Sequence, residues 1–157
     1  MIIVLIGLAI SLYFAVFHRP AVVINVPKEN IPFRDDGKLF FIDSNLTDTL
    51  ARIDIEIAND NDSRMQGLMN RDSLGIDRGM LFIYKMPMEH TYWMKNTRIS
   101  LDIIFIGEDK IINYIAQHAT PYSTNPIPGF YPSLYVVEVN AGFCSQHNIK
   151  PGVLIDF

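Results

Sequence analysis

The sequence predicts an α+β domain: a mostly antiparallel, strongly curved sheet or small β-barrel with two short helices, behind an N-terminal hydrophobic helix. Three observations support this fold class. Residues 51–58 alternate strictly between apolar and polar side chains, which is typical of a half-buried strand. Residues 101–106 and 110–116 are two apolar runs around Gly107-Glu108-Asp109, the pattern of a hairpin with a glycine-bearing turn. Helix signals occur at only two places, so the helices are expected to close the openings of the sheet.

The alternating strand assigns each of its side chains to a face. Successive residues of a strand point to opposite sides of the sheet, so the isoleucines separate from the charged residues. The inward set is predicted to be Ile53, Ile55 and Ile57. The outward set is predicted to be Arg52, Asp54 and Glu56.

The first helix is predicted to begin after Ser63, because Ser63 and Gln66 have the spacing of a capping box. Three apolar residues at helical spacing form the expected buried stripe: Met65, Leu68 and Met69. Gly67 lowers the helix propensity by about 1 kcal/mol relative to alanine. Another group is therefore expected to approach closely at Gly67, either a strand or a ligand.

The remaining elements follow from short apolar runs and turn residues. Further strands are predicted over residues 79–84, 134–139 and 153–157, and an aromatic strand begins at residue 91. Asn140 is a suitable N-cap for a short helix over residues 141–147, which Asn148 can end in the left-handed conformation. Residues 120–132 contain four prolines and are predicted to form a long loop.

Composition limits the classes of function. The chain has 157 residues, of which 49% are hydrophobic and 19% charged, as expected for one globular domain with a core. The formal net charge of −4 provides no basic surplus, so no nucleic-acid partner is expected. The single cysteine, Cys144, excludes an internal disulfide and is expected to be a small buried side chain. A reactive Cys144–His147 pair is the less favoured alternative.

The N-terminal segment divides the chain into three parts. Residues 1–17 contain no charged side chain, so residues 1–19 are predicted to be a membrane anchor or a signal segment. An uncleaved anchor is favoured, because no positive n-region or small-residue cleavage site is clear; cleavage would release the domain. Residues 20–46 are predicted to be a linker with an edge strand near 39–42, and residues 47–157 a single globular domain. The domain is expected on the periplasmic side of a membrane that residues 1–17 contact.

Four runs of sequence resemble the bacterial and archaeal family called domain of unknown function 192. They are residues 64–71 (RMQGLMNR), 79–82 (GMLF), 92–97 (YWMKNT) and 101–106 (LDIIFI), and the resemblance covers roughly residues 50–157. Three positions depart from the family pattern: Tyr92 replaces a frequent phenylalanine, Ser100 a usual proline, and Val153 a common acidic residue. The resemblance implies the fold and, because members often carry an export signal, an external location; it implies no function.

The run around Trp93 is the leading candidate site. Trp93 could form an apolar wall, while neighbouring donors bind an anionic or sugar-like ligand. Asp102 lies in an apolar strand, where a carboxylate requires a partner, and a structural ion pair is the alternative role for it. The predicted ligand-binding residues are Arg64, Arg71, Trp93, Lys95, Asn96 and Asp102. The leading function is non-catalytic binding of a small ligand or an envelope protein.

Two other functions stay open at this stage. Met86, Met88 and His90 alternate along an extended segment, and thioether with imidazole is a soft ligand set that suits Cu(I), so a copper-binding envelope protein is one alternative. A hydrolase-like enzyme with Asp102 as base is the other. The sequence contains no glycine-rich phosphate loop and no zinc-type ligand pair, and no catalytic residue or resident cofactor is predicted.

Overall fold

The computed structural model describes residues 31–157. The predicted anchor over residues 1–19 and the first part of the predicted linker lie outside the described residues. Within residues 31–157, no helix is long and apolar enough to cross a membrane.

The described part of the chain contains nine strands and two short helices. The strands are β1 Gly37–Ile42, β2 Thr49–Ala58, β3 Arg78–Met88, β4 Thr91–Tyr92, β5 Leu101–Ile106, β6 Ile112–Ala119, β7 Ile127–Pro128, β8 Ser133–Asn140 and β9 Leu154–Asp156. The helices, here numbered by their order in residues 31–157, are α1 Asn61–Gln66 and α2 Phe143–Gln146. The prediction of a mostly β domain with two short helices is confirmed.

Seven of the strands form one sheet in the order β6-β5-β8-β3-β2-β1-β9, and β4 pairs with β7 separately. All neighbouring pairs are antiparallel except β2 and β3, which are parallel. The two edges of the sheet meet at one end, where Ile111 bridges Leu154 and the Ile112 amide donates to the Val153 carbonyl at 2.9 Å. The sheet is therefore strongly curved but is not a closed barrel.

Both faces of the sheet are buried. The face that we call the α2 face carries a cluster that includes Ile53, Ile55, Val137 and Val139, and Phe143 and Cys144 of α2 pack against it. The opposite face, called the loop face, is covered by connecting segments that supply residues such as Leu68 and Met94. All six side chains of β5 are buried because this strand contributes to both clusters.

Helix α1 begins earlier than predicted. Asp60, not Ser63, is the N-cap: its carboxylate accepts hydrogen bonds from the backbone amides of Asp62 and Ser63, both at 2.9 Å. Ser63 completes the capping box from the N3 position. Met65 is 69% exposed rather than buried, and the helix ends at Gln66, so Leu68, which is buried and supplies the contact with the loop face, lies beyond the helix.

Two other predictions require correction. Glu56 was expected to face solvent, but it is buried on the loop face, where Arg71 pairs with it. The edge strand expected near residues 39–42 exists as β1, but it lies between β2 and β9 inside the sheet rather than at an edge.

The N-terminus of α2 also differs from the prediction. Its N-cap is Gly142 with φ 88°, which has no side chain that could accept a hydrogen bond from the helix amides. Asn140 instead ends β8 and donates hydrogen bonds to the carbonyls of Leu74 and Gly75, at 3.1 and 3.0 Å. Asn148 adopts the predicted left-handed conformation, with φ 55°.

Candidate functional site

The segment Trp93–Thr97, called the Trp93 loop, is fixed to its surroundings by its backbone. Asn96 adopts a left-handed conformation with φ 57°, which asparagine tolerates better than most residues. Four backbone hydrogen bonds hold the loop: Met94 N to Ser123 O (2.9 Å), Thr97 N to Met94 O (3.0 Å), Asn70 N to Asn96 O (2.8 Å) and Tyr122 N to Thr97 O (3.0 Å). The loop is thus tied to two other segments of the chain.

The Trp93 loop buries two of its side chains and leaves its aromatic side chain half-exposed. Met94 and Thr97 are buried, whereas Trp93 is 52% exposed. The Lys95 ammonium lies 5.5 Å from the centroid of the Trp93 ring, within cation–π range. Tyr122, on the segment that the loop bonds, is 62% exposed. The loop therefore presents an aromatic and cationic surface from a fixed backbone.

Arg64 belongs to the last turn of α1, and its guanidinium lies over the ring of a residue of β3. One of its terminal nitrogens donates to the Ile83 carbonyl and the other to Asn61 Oδ1, both at 2.8 Å. Its Cζ atom lies 5.2 Å from the centroid of the Tyr84 ring. Arg64 is thus held in place by several contacts at the edge of the loop face.

Arg71 is buried in an ion pair. Its two terminal nitrogens bond to the two carboxylate oxygens of Glu56, at 2.5 and 2.8 Å. This parallel arrangement is the strongest geometry available to arginine and a carboxylate. The sequence predicts that Arg71 donates hydrogen bonds to a ligand, whereas in the structure its guanidinium donates to Glu56.

Asp102 lies on the α2 face and is fully enclosed. Its carboxylate accepts hydrogen bonds from three backbone amides, those of His118 (3.0 Å), Gly142 (3.0 Å) and Cys144 (3.1 Å). None of its hydrogen bonds in residues 31–157 involves Lys95, Arg64 or Arg71, the partners considered from the sequence. Asp102 thereby supplies the acceptor that the N-terminus of α2 lacks in its own sequence.

Cys144 is buried beside Asp102, as predicted. Burial raises the pKa of its thiol strongly, and the neighbouring Asp102 carboxylate raises it further. A thiol with a raised pKa is a poor nucleophile, because the thiolate is the reactive form.

The three residues proposed for copper lie in different environments. Met86 and Met88 are exposed, whereas the His90 ring is buried and stacks on Tyr84 with a centroid distance of 3.6 Å. His90 Nε2 donates to the Ser133 carbonyl at 2.9 Å, since a carbonyl can only accept. Burial lowers the pKa of His90, so the ring is neutral at pH 7. Residues 31–157 contain no group of three or more His, Cys, Asp or Glu side chains placed to hold a metal ion.

Sequence reasoning missed Glu138, which lies in the middle of β8 on the loop face. Met80 and Ile103 are its partners on the two neighbouring strands, and the whole residue is only 6% exposed. A lone carboxylate between valines in an apolar strand is the same signal that drew attention to Asp102, and it was present in the sequence.

Glu138 has an environment unlike that of the other buried acids. Within residues 31–157 no hydrogen bond or ion pair reaches its carboxyl group, and burial raises its pKa from 4.5 to about 8. Gly67, in a positive-φ conformation (48°), passes over it: a Cβ there would lie 3.5 Å from Phe82 and 3.8 Å from Glu138 Oε2. The close approach expected at Gly67 is thus made by side chains of β3 and β8. We use the name Glu138 site for five residues: Gly67, Met80, Phe82, Ile103 and Glu138.

A pair of tyrosines lies on the same face. Their hydroxyl oxygens are 2.7 Å apart, and the Tyr92 ring packs edge-on against Phe82 and Phe105, with centroids 5.4 and 5.7 Å away. Burial raises the pKa of both hydroxyls, and the charge of Glu138 contributes in the same direction. Tyr84 and Tyr92 are therefore neutral hydrogen-bonding groups near the Glu138 site.

The Trp93 loop and the Glu138 site adjoin the same stretch of chain. Gly67 lies against Glu138, and three residues later the Asn70 amide bonds to the Asn96 carbonyl. Of the predicted residues, the structure therefore groups Trp93, Lys95 and Asn96 on one loop. Arg71 is paired with Glu56 instead, and Asp102 lies on the opposite face of the sheet.

Comparison with known proteins gives one family and two solved relatives. The sequence model of the family DUF192, described as "Uncharacterized ACR", matches residues 42–157. A Novosphingobium aromaticivorans DSM 12444 protein of unknown function is 35% identical with a TM-score of 0.71, over 76% of this chain and 84% of that one. A Sinorhizobium meliloti 1021 protein, described as a proposed transcription regulator, is 34% identical with a TM-score of 0.72, over 76% and 91%.

No curated protein matches the chain. The two solved relatives share both sequence and fold with it, and the family match spans the sheet from the end of β1 to the C-terminal residue. The chain belongs to the DUF192 family, whose function is uncharacterised.

Proposed function

We propose that the domain is a non-catalytic binding module of the cell envelope, which holds a small ligand or a protein partner at the Trp93 loop. One observation carries the proposal: a half-exposed tryptophan sits on a loop that four backbone hydrogen bonds fix in place. A large aromatic side chain held in a fixed position binds with little loss of conformational freedom, which favours affinity.

In this proposal the side chains around the Trp93 loop make different kinds of contact with the ligand. Trp93 and Tyr122 offer rings for stacking, and Lys95 offers three N–H donors and a positive charge to an acceptor on the ligand. Asn96 positions the loop through its backbone. Arg64 and Arg71 have no ligand contact in this proposal, because their guanidinium groups already bond to acceptors of the protein.

The envelope location in this proposal rests on the sequence. The apolar run over residues 1–17 supports a membrane anchor, with the domain on the periplasmic side. The relative from Sinorhizobium meliloti is described as a proposed transcription regulator, but the net charge of −4 gives no electrostatic support for DNA binding. We therefore propose no nucleic-acid partner.

The hydrolase and copper alternatives have less support. The oxygens of Asp102 are occupied by three backbone amides, which leaves it poorly placed to accept a substrate proton. The Nε2 atom of His90 carries the proton donated to Ser133, so only Nδ1 could bind a metal.

The test is native mass spectrometry of the full chain purified from its envelope, compared with the denatured mass. A bound species that disappears on denaturation is expected in the wild-type protein and is expected to be lost in Trp93→Ala. Tyr131→Ala is the matched control, since Tyr131 is 53% exposed and Trp93 is 52% exposed. Equal retention of the species in both variants would exclude the Trp93 loop as the site.

A ligand found in this way can be titrated by fluorescence. Trp93 is the only tryptophan of the chain, so any change in emission reports directly on the loop. We expect saturable quenching, and a loss of affinity in Trp93→Ala by calorimetry of about tenfold or more, the range of an aromatic hot spot.

A further inference from the structure

A cavity of about 210 Å³ lies beside the segment that connects α1 to β3. Residues 31–33 line one part of it, and the rest of the lining comes from residues 71–78, among them Arg71, Ser73 and Arg78. Ser73 and Arg78 are exposed, so the cavity reaches the surface. Of the described residues that line it, two are arginines and none is an acid, which gives the cavity a positively charged lining.

Arg78, the first residue of β3, contributes a guanidinium group that packing holds in position. Its Cζ atom lies 4.4 Å from the centroid of the Phe33 ring. A Cβ at residue 75 would lie 2.8 Å from the Cδ atom of Arg78, so Gly75 leaves the room that this side chain occupies. Within residues 31–157 the guanidinium donates no hydrogen bond and forms no ion pair. Its N–H donors are therefore free to bind an acceptor in the cavity.

Arg71 adds a second, deeper cation to the same lining. The residue is more than nine-tenths buried, and its two terminal nitrogens donate to Glu56. Its Nε atom is the one enclosed side-chain polar atom in residues 31–157 without a hydrogen bond. Buried donors without an acceptor are rare in folded proteins, and each one requires an explanation. Because this edge of the guanidinium has no acceptor in the described chain, Glu56 compensates the charge of Arg71 on one side only.

The acids near the cavity leave Arg78 unoccupied. Asp54 accepts a hydrogen bond from Lys38 at 2.8 Å, which is the main cause of its lowered pKa, and Arg78 is the last of several smaller causes. Asp72 is in an ion pair with an arginine outside the cavity. Asp77 precedes Arg78 in the sequence but does not line the cavity.

The wall that carries the arginines is fixed by hydrogen bonds. Asn140 Nδ2 donates to the carbonyls of Leu74 and Gly75, at 3.1 and 3.0 Å. The Arg78 amide donates to the Gly75 carbonyl at 3.2 Å, and the Asp77 carbonyl accepts from an amide of β2 at 2.9 Å. The cavity is thus formed before a ligand arrives, which lowers the entropy lost on binding.

We propose that this cavity binds a phosphate group, free or as the terminal group of a small ligand. Arg78 and the Ser73 hydroxyl donate its hydrogen bonds, and Arg71, whose Nε atom is shielded from solvent, acts on it through its charge. No residue of the Trp93 loop lines the cavity, so this site does not rest on the function proposed for that loop.

Phosphate matches this lining better than a carboxylate does. The planar fork of an arginine donates parallel hydrogen bonds to two oxygens of either group. A phosphate group has a further oxygen for the Ser73 hydroxyl, and near neutral pH it carries about −1.5 to −2 charge. A lining with two cations and no acid therefore favours phosphate over the single charge of a carboxylate.

The test is an NMR titration of the ¹⁵N-labelled full chain with sodium phosphate at constant ionic strength, followed by the arginine Nε–H resonances. We expect the resonances of Arg78 and Arg71 to shift along one saturable curve. The resonance of Arg98, which is bonded to Asp72, is the internal control and is expected to stay in place. Shifts that do not saturate, or that are equal for all arginines, would overturn the proposal. Sodium acetate is expected to bind about tenfold more weakly or less, and equal affinity for acetate would overturn the assignment to phosphate.

Variants separate this cavity from other cationic surfaces. Arg78→Ala is expected to weaken phosphate binding about tenfold or more, with an unchanged circular dichroism spectrum because Arg78 bonds to no other described group. Arg78→Lys keeps the charge without the planar fork, so an intermediate affinity is expected. Arg52→Ala removes an exposed arginine that does not line the cavity and is the matched control, expected to bind as wild type. Trp93→Ala is also expected to retain phosphate binding; a loss there, with Arg78→Ala unaffected, would assign the anion to the Trp93 loop instead.

Discussion

Asp102 and Glu138 lie on adjacent strands, on opposite faces of the same sheet, and both are buried carboxylic acids. Asp102 accepts hydrogen bonds from three backbone amides and connects β5 to the start of α2 and to β6. Glu138 accepts none among the described residues, and its pKa is raised to about 8. Burial is common to both, and the two acids differ in the number of donors that the fold brings to each carboxyl group.

A buried acid is structural when the chain supplies its donors. Asp102 stabilises the fold because its carboxylate is the acceptor for three backbone amides. Glu138 accepts no hydrogen bond from residues 31–157, and burial favours the protonated form of its carboxyl group. Glu56 is an intermediate case, because both of its hydrogen bonds come from one side chain, Arg71, which a single substitution can remove, and its other ion-pair partner, Arg34, is 3.9 Å away.

The largest effect is expected for Asp102→Ala. It leaves three amides without acceptors, at about 1–3 kcal/mol for each buried group, so the free energy of unfolding should fall by about 4 kcal/mol. Urea unfolding followed by circular dichroism measures this change. A loss below about 1 kcal/mol would mean that water replaces the carboxylate and that Asp102 is no more structural than Glu138.

Arg71→Leu is expected to make Glu56 resemble Glu138. Without Arg71 the buried Glu56 carboxylate keeps only the half-exposed Arg34, whose Nε lies 3.9 Å from Oε2, so we expect a loss of about 3 kcal/mol at pH 7. The double variant Glu56→Gln/Arg71→Leu removes both charges and should recover much of this loss. If the single and double variants are equally unstable, packing rather than charge explains the effect.

Glu138→Gln is expected to change the pH dependence of stability. Between pH 4.5 and about 8 the folded protein binds this proton more tightly than the unfolded chain, so wild-type stability falls as the pH rises through that interval. The variant has no carboxyl group to ionise, so it lacks this fall. At pH 9 it should be more stable than wild type by about 2 kcal/mol, a value that allows for partial exposure of the ionised carboxylate to water. Thermal unfolding of both proteins at pH 5 and pH 9 measures this difference. An equal change in melting temperature for wild type and variant between the two pH values would contradict the prediction.

The smallest effect is expected for Tyr92→Phe. The hydroxyl of Tyr92 is 2.7 Å from that of Tyr84, and removing it leaves a partly buried hydroxyl with one partner fewer, which costs about 1 kcal/mol. Tyr135→Phe is the control, because Tyr135 contributes a ring contact with Phe157 and its hydroxyl makes no hydrogen bond within residues 31–157. Equal losses in the two variants would show that the tyrosine pair does not stabilise the loop face.

Parts of the candidate site followed from the sequence and parts did not. The cluster from Trp93 to Thr97 stood out by residue type, and the structure holds it together because the residues are adjacent in the chain. The partners of Asp102 were predicted as arginine or lysine side chains, but they are backbone amides 16 to 42 residues away. Residue type indicates what a side chain can bond, whereas the partner depends on which strands become neighbours.

The sequence by itself determined the local elements. The alternation at residues 51–58 gave strand β2, the turn at Gly107 gave the β5–β6 hairpin, and Asp60 and Ser63 gave the start of α1, three residues earlier than Ser63 alone suggests. These features depend on backbone preferences and side-chain periodicity within a few residues. Family membership could also be read from short runs of residues.

Only the tertiary structure decided which face of each strand is covered and by what. The parallel pairing of β2 with β3 and the position of β8 between β3 and β5 bring Glu56, Met80, Glu138 and Ile103 into one row across the sheet. Arg71 then reaches Glu56, whereas Gly67 passes over Glu138 without a donor. Such pairings join residues far apart in the chain, and no pattern within a single strand records its neighbours.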